Sequence, residues 1–433
     1  MFHSKVKLSL SLKYPTNLVG FITGDKWLQS RRVDDGAEGL WRIHDGLYDV
    51  SDFVQFHPGG SSWLEMTKGT DVTEAFEAHH LSSTPEHMLK KFFIRKATKP
   101  RNYPFTFEED GFYRTLKRNI QPILKDIPKK ATKTTDIATD LLLIGTFFSA
   151  ICASAFWSFT IGTVSAILLT LTSIAAHNYF HRRDNFRMYY FNLCLMDFRG
   201  WRISHALSHH LYANTINDLE MISWEVLAPH FPMKKSFLFK CWSWVSIIIL
   251  WTTIFILSYI ARVLMIAKSR MIFLSDLIPL TLPLAMFLVS GITLQSVLKM
   301  WLFIITISSF TFGAIGFNAS HHHPDVFHEG DAPRQKRLDW GIHQLDTAFD
   351  RREINGNWFW VLTMFGDHAL HHIFPTIDHT ALPYLQPVFE KTMKEFGVDL
   401  QIKSQVEMII GQFQQLHRES PNTLPPGSRN VKK

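Results

Sequence analysis

The sequence predicts two unlike parts: a small α+β domain in front of an all-α, multi-pass membrane domain. Three observations predict this. Residues 137–176 are almost uninterrupted apolar sequence, and further apolar stretches lie near 241–266, 272–290 and 295–317. The first 135 residues are polar, with an acidic excess in 25–94 of twelve acidic against seven basic residues. Histidines recur in three tight clusters beside the apolar stretches, as HNYFH (177–181), HALSHH (205–210) and HALHH (368–372).

Composition narrows the class. The 433 residues are 46% hydrophobic with a formal net charge of +7. A basic balance alone suits nucleic acid or a membrane surface, but no nucleic-acid module is readable, so the membrane surface and no nucleic acid are expected. The three cysteines, Cys152, Cys194 and Cys241, are far apart and imply neither a disulfide framework nor a thiolate metal site. The opening residues lack the apolar run of a secretory signal.

The front domain is expected over 20–98. Its run WRIHDGLYDVSDFVQFHPGGSSWLEMTKGTDVTEAFEAHH (41–80) sets Trp41, Tyr48 and Val50 ahead of a His57-Pro58-Gly59-Gly60 turn. The run resembles cytochrome b5. That resemblance implies haem b, with His57 as one axial ligand. It implies a second ligand beyond Glu77, His80 or the adjacent His79, with His80 favoured by its spacing from Phe76. Two histidine ligands fill both axial positions, so such a haem carries electrons. The acidic face suits docking to a basic reductase. Residues 99–135 read as a linker and amphipathic approach to the membrane.

The membrane domain is expected over 136–400. Forty apolar residues from 137 to 176 are enough for two helices of about 20 residues each, turning near Ser154–Ser158. The arginines that follow (182, 183, 187, 199 and 202) put that side in the cytosol by the positive-inside rule. For the third cluster to meet the first two, the number of crossings must be even. One later stretch should therefore not cross: 295–317 is the first choice, and 272–290 the rival. Either choice leaves Lys268 and Arg270 on the luminal side, against the charge rule. Asn318-Ala-Ser320 is a glycosylation sequon that this topology leaves unmodified. Residues 401–433 read as a polar tail with a disordered end.

Histidines at i and i+3 or i+4 share a helix face, so their rings can converge on a metal ion. With an electron-carrying domain in front, oxygen chemistry at iron fits better than hydrolysis at zinc, which needs no electrons. The chain resembles the cytochrome b5-fusion membrane fatty-acid desaturases, and among them the insect-type cytochrome b5-related group, from Trp41 to about Val398. The resemblance implies that two non-haem irons are held by His177, His181, His205, His209, His210, His368, His371 and His372. An NxxxH element, Asn318 and His322, would add a ligand, with His321 and His323 as alternatives. Asp184, Asp197, Asp218, Glu220 and Asp367 are candidate orienters of the imidazoles. The resemblance further implies an acyl lipid substrate, NADH-cytochrome b5 reductase as partner and residence in the endoplasmic reticulum membrane. Trp157, Trp224, Trp242, Trp244 and Trp251 suit an interface belt or an acyl path. A lipid hydroxylase, a sphingoid-base desaturase and a non-catalytic electron carrier are the alternative functions.

Overall fold

The computed structural model describes residues 8–10, 12–16, 18, 22–335 and 337–428. The front domain is a three-stranded antiparallel sheet, Trp41–Ile43, Gly46–Tyr48 and Phe93–Lys96 in that order, packed with short helices. Trp41, Leu47 and Val50 are buried beneath it, and the Trp41 indole donates to the Leu64 carbonyl at 3.0 Å. Gly60 ends the His-Pro-Gly-Gly turn at φ +107°, where a side chain would be strained. The helix Ser61–Thr67 starts immediately after it.

The segment expected to be a linker is folded instead. Phe105–Thr106 pairs in parallel with Leu338–Asp339. The helix Phe112–Asp126 buries Phe112, Tyr113, Leu116 and Ile120, a one-sided apolar stripe. One hydrophobic core runs from Trp27 and Ala78 of the front domain through Tyr103 and Tyr113 to Tyr212, Trp340 and Phe374. The two domains therefore share a core, which a polar linker would not give.

The apolar hairpin forms as expected, as Lys129–Ala155 and Phe159–His177. Small and hydroxylated residues join the two helices: Thr146 Oγ1 and Thr172 Oγ1 are 3.1 Å apart, and Ser165 donates to the Thr146 carbonyl at 3.2 Å. Four helices among the described residues are long and apolar enough to cross a membrane: these two, Phe237–Ser269 and Leu294–Gly316.

The expectation that 295–317 lies along the interface is corrected. Leu294–Gly316 runs the full depth of the hairpin. A Cβ on Gly162, at the end of the hairpin away from the histidines, would meet Met300 Sδ at 3.0 Å. Thr170 bonds Ser308 at 3.0 Å, and Phe312 packs on Trp201 beside the histidines. The rival stretch also runs inward: Ser275 accepts from Asn192 on the histidine side, and the helix Thr281–Ser290 packs along Lys129–Ala155. The helix with both ends on the histidine side is Phe237–Ser269. Near its start, Trp244 stacks on His417 at 4.9 Å. Near its end, Arg262 is paired with Asp276 at 2.8 Å and lies beside Asn192 and Asp197. Its middle passes over Gly313, where a Cβ would meet Trp251 at 2.7 Å.

The polar tail is more ordered than expected. Gln405–His417 is a helix with a Ser404/Glu407 capping box. Beyond it, Asn422 donates to Asp331 (2.7 Å) and to the Pro324 carbonyl (2.9 Å). Of the end expected to be disordered, 420–433, residues 420–428 are placed and 429–433 lie outside the described residues.

Candidate metal centre

The hairpin ends at His177, and the turn after it carries His181. Arg202–His209 is wound as a π-helix, and the backbone N–H of His210 reaches the His205 carbonyl five residues back. That wider winding brings i and i+5 onto one face. His205 and His210 thus join one group and His209 another, while His205 and His209, an i, i+4 pair, still stack at 5.4 Å and lie together beside Glu220. His368–Ile373 supplies the third box as one short helix.

The rings gather into two adjoining buried groups. His177, His181, His205, His210 and His371 each offer one nitrogen, all within 4.8 Å of one another; His209, His321, His368 and His372 do the same. In the first group, His177 Nε2 is 2.6 Å from His205 Nε2 and 3.1 Å from His181 Nε2, and His210 Nε2 is 3.0 Å from His205 Nε2. In the second, His321 Nε2 is 2.9 Å from His368 Nε2 and 3.0 Å from His372 Nε2. His210 and His372 stack at 4.0 Å and join the groups.

The donor set fits metal ions. A neutral imidazole has one N–H, so Nε2 atoms crowded this closely turn lone pairs towards one another. A cation at the shared point satisfies all of them. Burial above all, and then nearby rings and cations, holds His181, His210, His321, His368, His371 and His372 well below the usual imidazole pKa. They are neutral and able to ligate.

Two of the five candidate carboxylates touch the rings. His209 Nδ1 donates to Asp218 Oδ2 at 2.9 Å and His205 Nδ1 to Glu220 Oε1 at 2.8 Å, leaving each Nε2 for the cluster. Burial opposes protonation of His209, but Asp218 and Glu220 outweigh it and raise that ring to about 9. The other three are corrected. Asp184 pairs with Arg202, Asp197 caps a helix at Gly200, and Asp367 accepts from Gly356.

His322 is also corrected. It stacks on His230 at 3.9 Å, away from the cluster, and His323 packs on Phe349. His321 takes the place instead, with its Nδ1 held by the Thr347 carbonyl at 2.8 Å. Sequence reasoning missed His379, whose Nε2 lies 3.1 Å from His371 Nδ1, and Gln344, whose Oε1 accepts from His372 Nδ1 at 3.1 Å.

In the front domain, His57 and His80 face each other with ring centroids 6.1 Å apart and planes at 81°. His57 Nδ1 donates to the Gly60 carbonyl at 2.9 Å and His80 Nδ1 to that of Phe76 at 3.0 Å, so both present Nε2 to the space between. His79 points elsewhere, towards Trp63. Phe53, Phe76 and Phe92 line the pair. Two opposed, pre-oriented imidazoles among aromatic rings fit a six-coordinate haem. Glu74 and Glu77, part of the expected acidic docking face, are buried in ion pairs; Asp45, Asp49 and Asp52 are exposed.

The family models match the same two parts. The cytochrome b5-like haem/steroid binding domain model covers residues 26–98, and the fatty acid desaturase model covers 152–402. The chain belongs to the fatty acid desaturase family. The chain is 44% identical over 429 residues to a cytochrome b5-related protein of Drosophila melanogaster, covering 98% of each chain. It is 23% identical over 423 residues to a probable Delta(5) fatty acid desaturase C of Dictyostelium discoideum, covering 87% of this chain and 91% of the relative. With the Delta(5) fatty acid desaturase A of that organism it shares 23% identity over 465 residues, 94% and 96% of the two chains. No solved structure matches it. As a member of this family with a fused cytochrome b5-like domain, it belongs with the oxidoreductases, and its apolar helices suit a multi-pass membrane protein.

Proposed function

We propose that this chain is an acyl-lipid desaturase with a di-iron centre, supplied with electrons by its own haem domain. The observation that carries the reading is the pair of adjoining imidazole clusters, five and four nitrogens, in a chain whose front domain opposes His57 to His80. The all-nitrogen donor set suits a redox-active transition metal. Relatives named as Delta(5) fatty acid desaturases favour an acyl chain as substrate.

Haem b between His57 and His80 would carry electrons singly, and two irons on the nine cluster histidines would supply the dioxygen chemistry that removes hydrogen from adjacent methylenes. The protein's own work is placement. Asp218 and Glu220 fix the tautomer of two ligands, the Thr347 carbonyl a third and Gln344 a fourth. Phe365 and Trp201 pack on the rings of His177 and His205, and Phe312 backs Phe365.

The chain crosses four times in this reading, by 129–155, 159–177, 274–290 and 294–316, while 237–269 lies along the histidine face. Lys268 and Arg270 then share the side of the box arginines, as the charge rule asks. That side is the cytosol of the endoplasmic reticulum, where NADH-cytochrome b5 reductase meets the haem domain.

Haem and iron content of the detergent-purified protein test the reading, beside a His209→Ala/His210→Ala variant and with lipid profiles of cells expressing each. Two non-haem irons for each haem, lost in the variant with haem retained, and a new unsaturated product from the wild type alone are expected. Haem without iron in fresh protein prepared without chelator overturns it in favour of a non-catalytic electron carrier. A hydroxylated product moves it to a hydroxylase.

A further inference from the structure

Between the two histidine systems lies Arg202, which the proposed chemistry has not used. It is 3% exposed. Its guanidinium joins two segments, 62–63 and 180–184, to its own. Nη1 pairs with Asp184 at 2.8 Å and donates to Ser62 Oγ at 3.3 Å. Nε donates to the Phe180 carbonyl at 3.2 Å, and Nη2 to the Arg182 carbonyl at 3.4 Å. Its central carbon sits 4.8 Å over the Trp63 ring. Ser62 and Trp63 follow the His57 turn, Phe180 adjoins His181, and Arg202 itself opens the helix of His205 and His209.

Both halves of the haem pair lead to this point. The His57 ring is bonded to the Gly60 carbonyl, and the backbone runs on to Ser62. From His80 the backbone leads to His79, whose ring lies 5.8 Å from Trp63. Fastening alone explains Arg202 poorly. A buried cation with a half-exposed partner costs desolvation that an apolar side chain would avoid. A rigid, planar fork of donors is what joins acceptors from separate segments.

We propose that Arg202, with Trp63 beneath it, is the electronic bridge from the haem domain to the histidine clusters; the inference rests on the reading of those clusters as an electron-fed iron centre. Electronic coupling falls slowly along covalent and hydrogen bonds and steeply across gaps. The route from His57 through Gly60, Ser62, Arg202 and Phe180 to His181 is bonded throughout. Each transfer would oxidise a ferrous haem held by His57 and His80 and reduce a ferric iron held by the cluster histidines; two would reduce an iron pair, with an NADH-linked flavoprotein reductase re-reducing the haem each time. Arg202 stays protonated and moves no proton.

The test uses the full chain in detergent, its haem reduced by NADH and reductase and then mixed with oxygenated buffer and acyl lipid. The haem absorbance reports reoxidation. Arg202→Met is expected to keep its haem spectrum, haem potential and iron content, and to reoxidise slower by an order of magnitude or more. Tyr212→Phe, which removes a buried 3.0 Å bond to Glu74 off the route, is the control and should keep the wild-type rate. A wild-type rate in a fully loaded Arg202→Met, or equal slowing in Tyr212→Phe, overturns the bridge. If Arg202→Met loses iron, Trp63→Leu carries the test: slowing supports the bridge and an unchanged rate overturns it. The His209→Ala/His210→Ala protein separates the two ideas. If its haem reoxidises as fast as the wild type's, the electron-fed iron centre itself fails; if it is slow while Arg202→Met is not, the bridge alone fails.

Discussion

Replacing Glu77 by glutamine should loosen the front domain from the rest of the chain. The Glu77 carboxylate is fully buried and meets His44 Nε2 at 2.8 Å, Lys117 Nζ at 3.3 Å and the Arg114 guanidinium. Its backbone carbonyl accepts from the Tyr113 hydroxyl at 2.7 Å. Burial by itself would raise its pKa, but His44, Lys117 and Arg114 overcome it and bring it from 4.5 down to about 2. A drop of 4.5 − 2 = 2.5 corresponds to about 3 kcal/mol of stability at neutral pH. The folded pKa is depressed, so the contribution is complete above pH 4.5 and is lost as pH falls through about 2. At pH 3 roughly 1.4 kcal/mol remains. Glu77→Gln keeps the shape, deletes the charge and leaves Arg114 and Lys117 facing a neutral amide. Guanidinium unfolding followed by haem absorbance, in detergent, should show a deficit of about 3 kcal/mol at pH 7 that narrows to about half by pH 3. An unchanged midpoint at pH 7 would refute the reasoning, and so would a deficit that stays constant with pH.

Further outcomes follow from the two metal systems. His80→Ala should abolish the haem spectrum while His79→Ala keeps it; the reverse would assign the axial ligand to His79. His321→Ala should lower iron content by metal analysis, and His322→Ala should leave it unchanged. Asp218→Asn, which removes the acceptor for His209 Nδ1, should weaken iron retention against a chelator by about 10- to 100-fold; unaltered retention would mean that the ring needs no carboxylate to orient it. His379→Ala should speed chelator removal from the five-histidine group, where His379 bonds His371, and leave the haem spectrum as it was.

The parts legible in the sequence are those written in local spacing. HPGG with its flanking apolar residues marks the front domain, and the three boxes mark the cluster because each sits within six residues. Interactions over long separations were not legible. His321 stands among three consecutive histidines, and what selects it is the carbonyl of Thr347, 26 residues on. His379 carries no spacing signal of its own, and it is the fold that brings it to His371. Arg182, Arg187 and Arg202 read as topology markers, yet each is paired with a specific carboxylate, Asp378, Asp140 and Asp184. Residues 99–135 are polar by composition, and their apolar stripe becomes meaningful once Tyr212 and Trp340 are there to cover it. Length and hydropathy alone do not tell which side of the bundle the ends of a helix reach, so Phe237–Ser269 reads like its neighbours until its end contacts are known.

The wide winding of Arg202–His209 has a consequence for mutational tolerance. On a regular helix His205 and His209 would share a face and His210 would stand about 100° away from His209. One additional residue per turn sorts them between two ions without any change of residue type. The segment should therefore reject loss of Ala206 or Leu207, both buried, more severely than a volume-conserving apolar replacement of Leu207, since a one-residue deletion would also rewind the turn and strand His209 or His210 on the wrong ion. What distinguishes a two-metal from a one-metal arrangement here is a count of backbone units, and a point-substitution scan would pass over it.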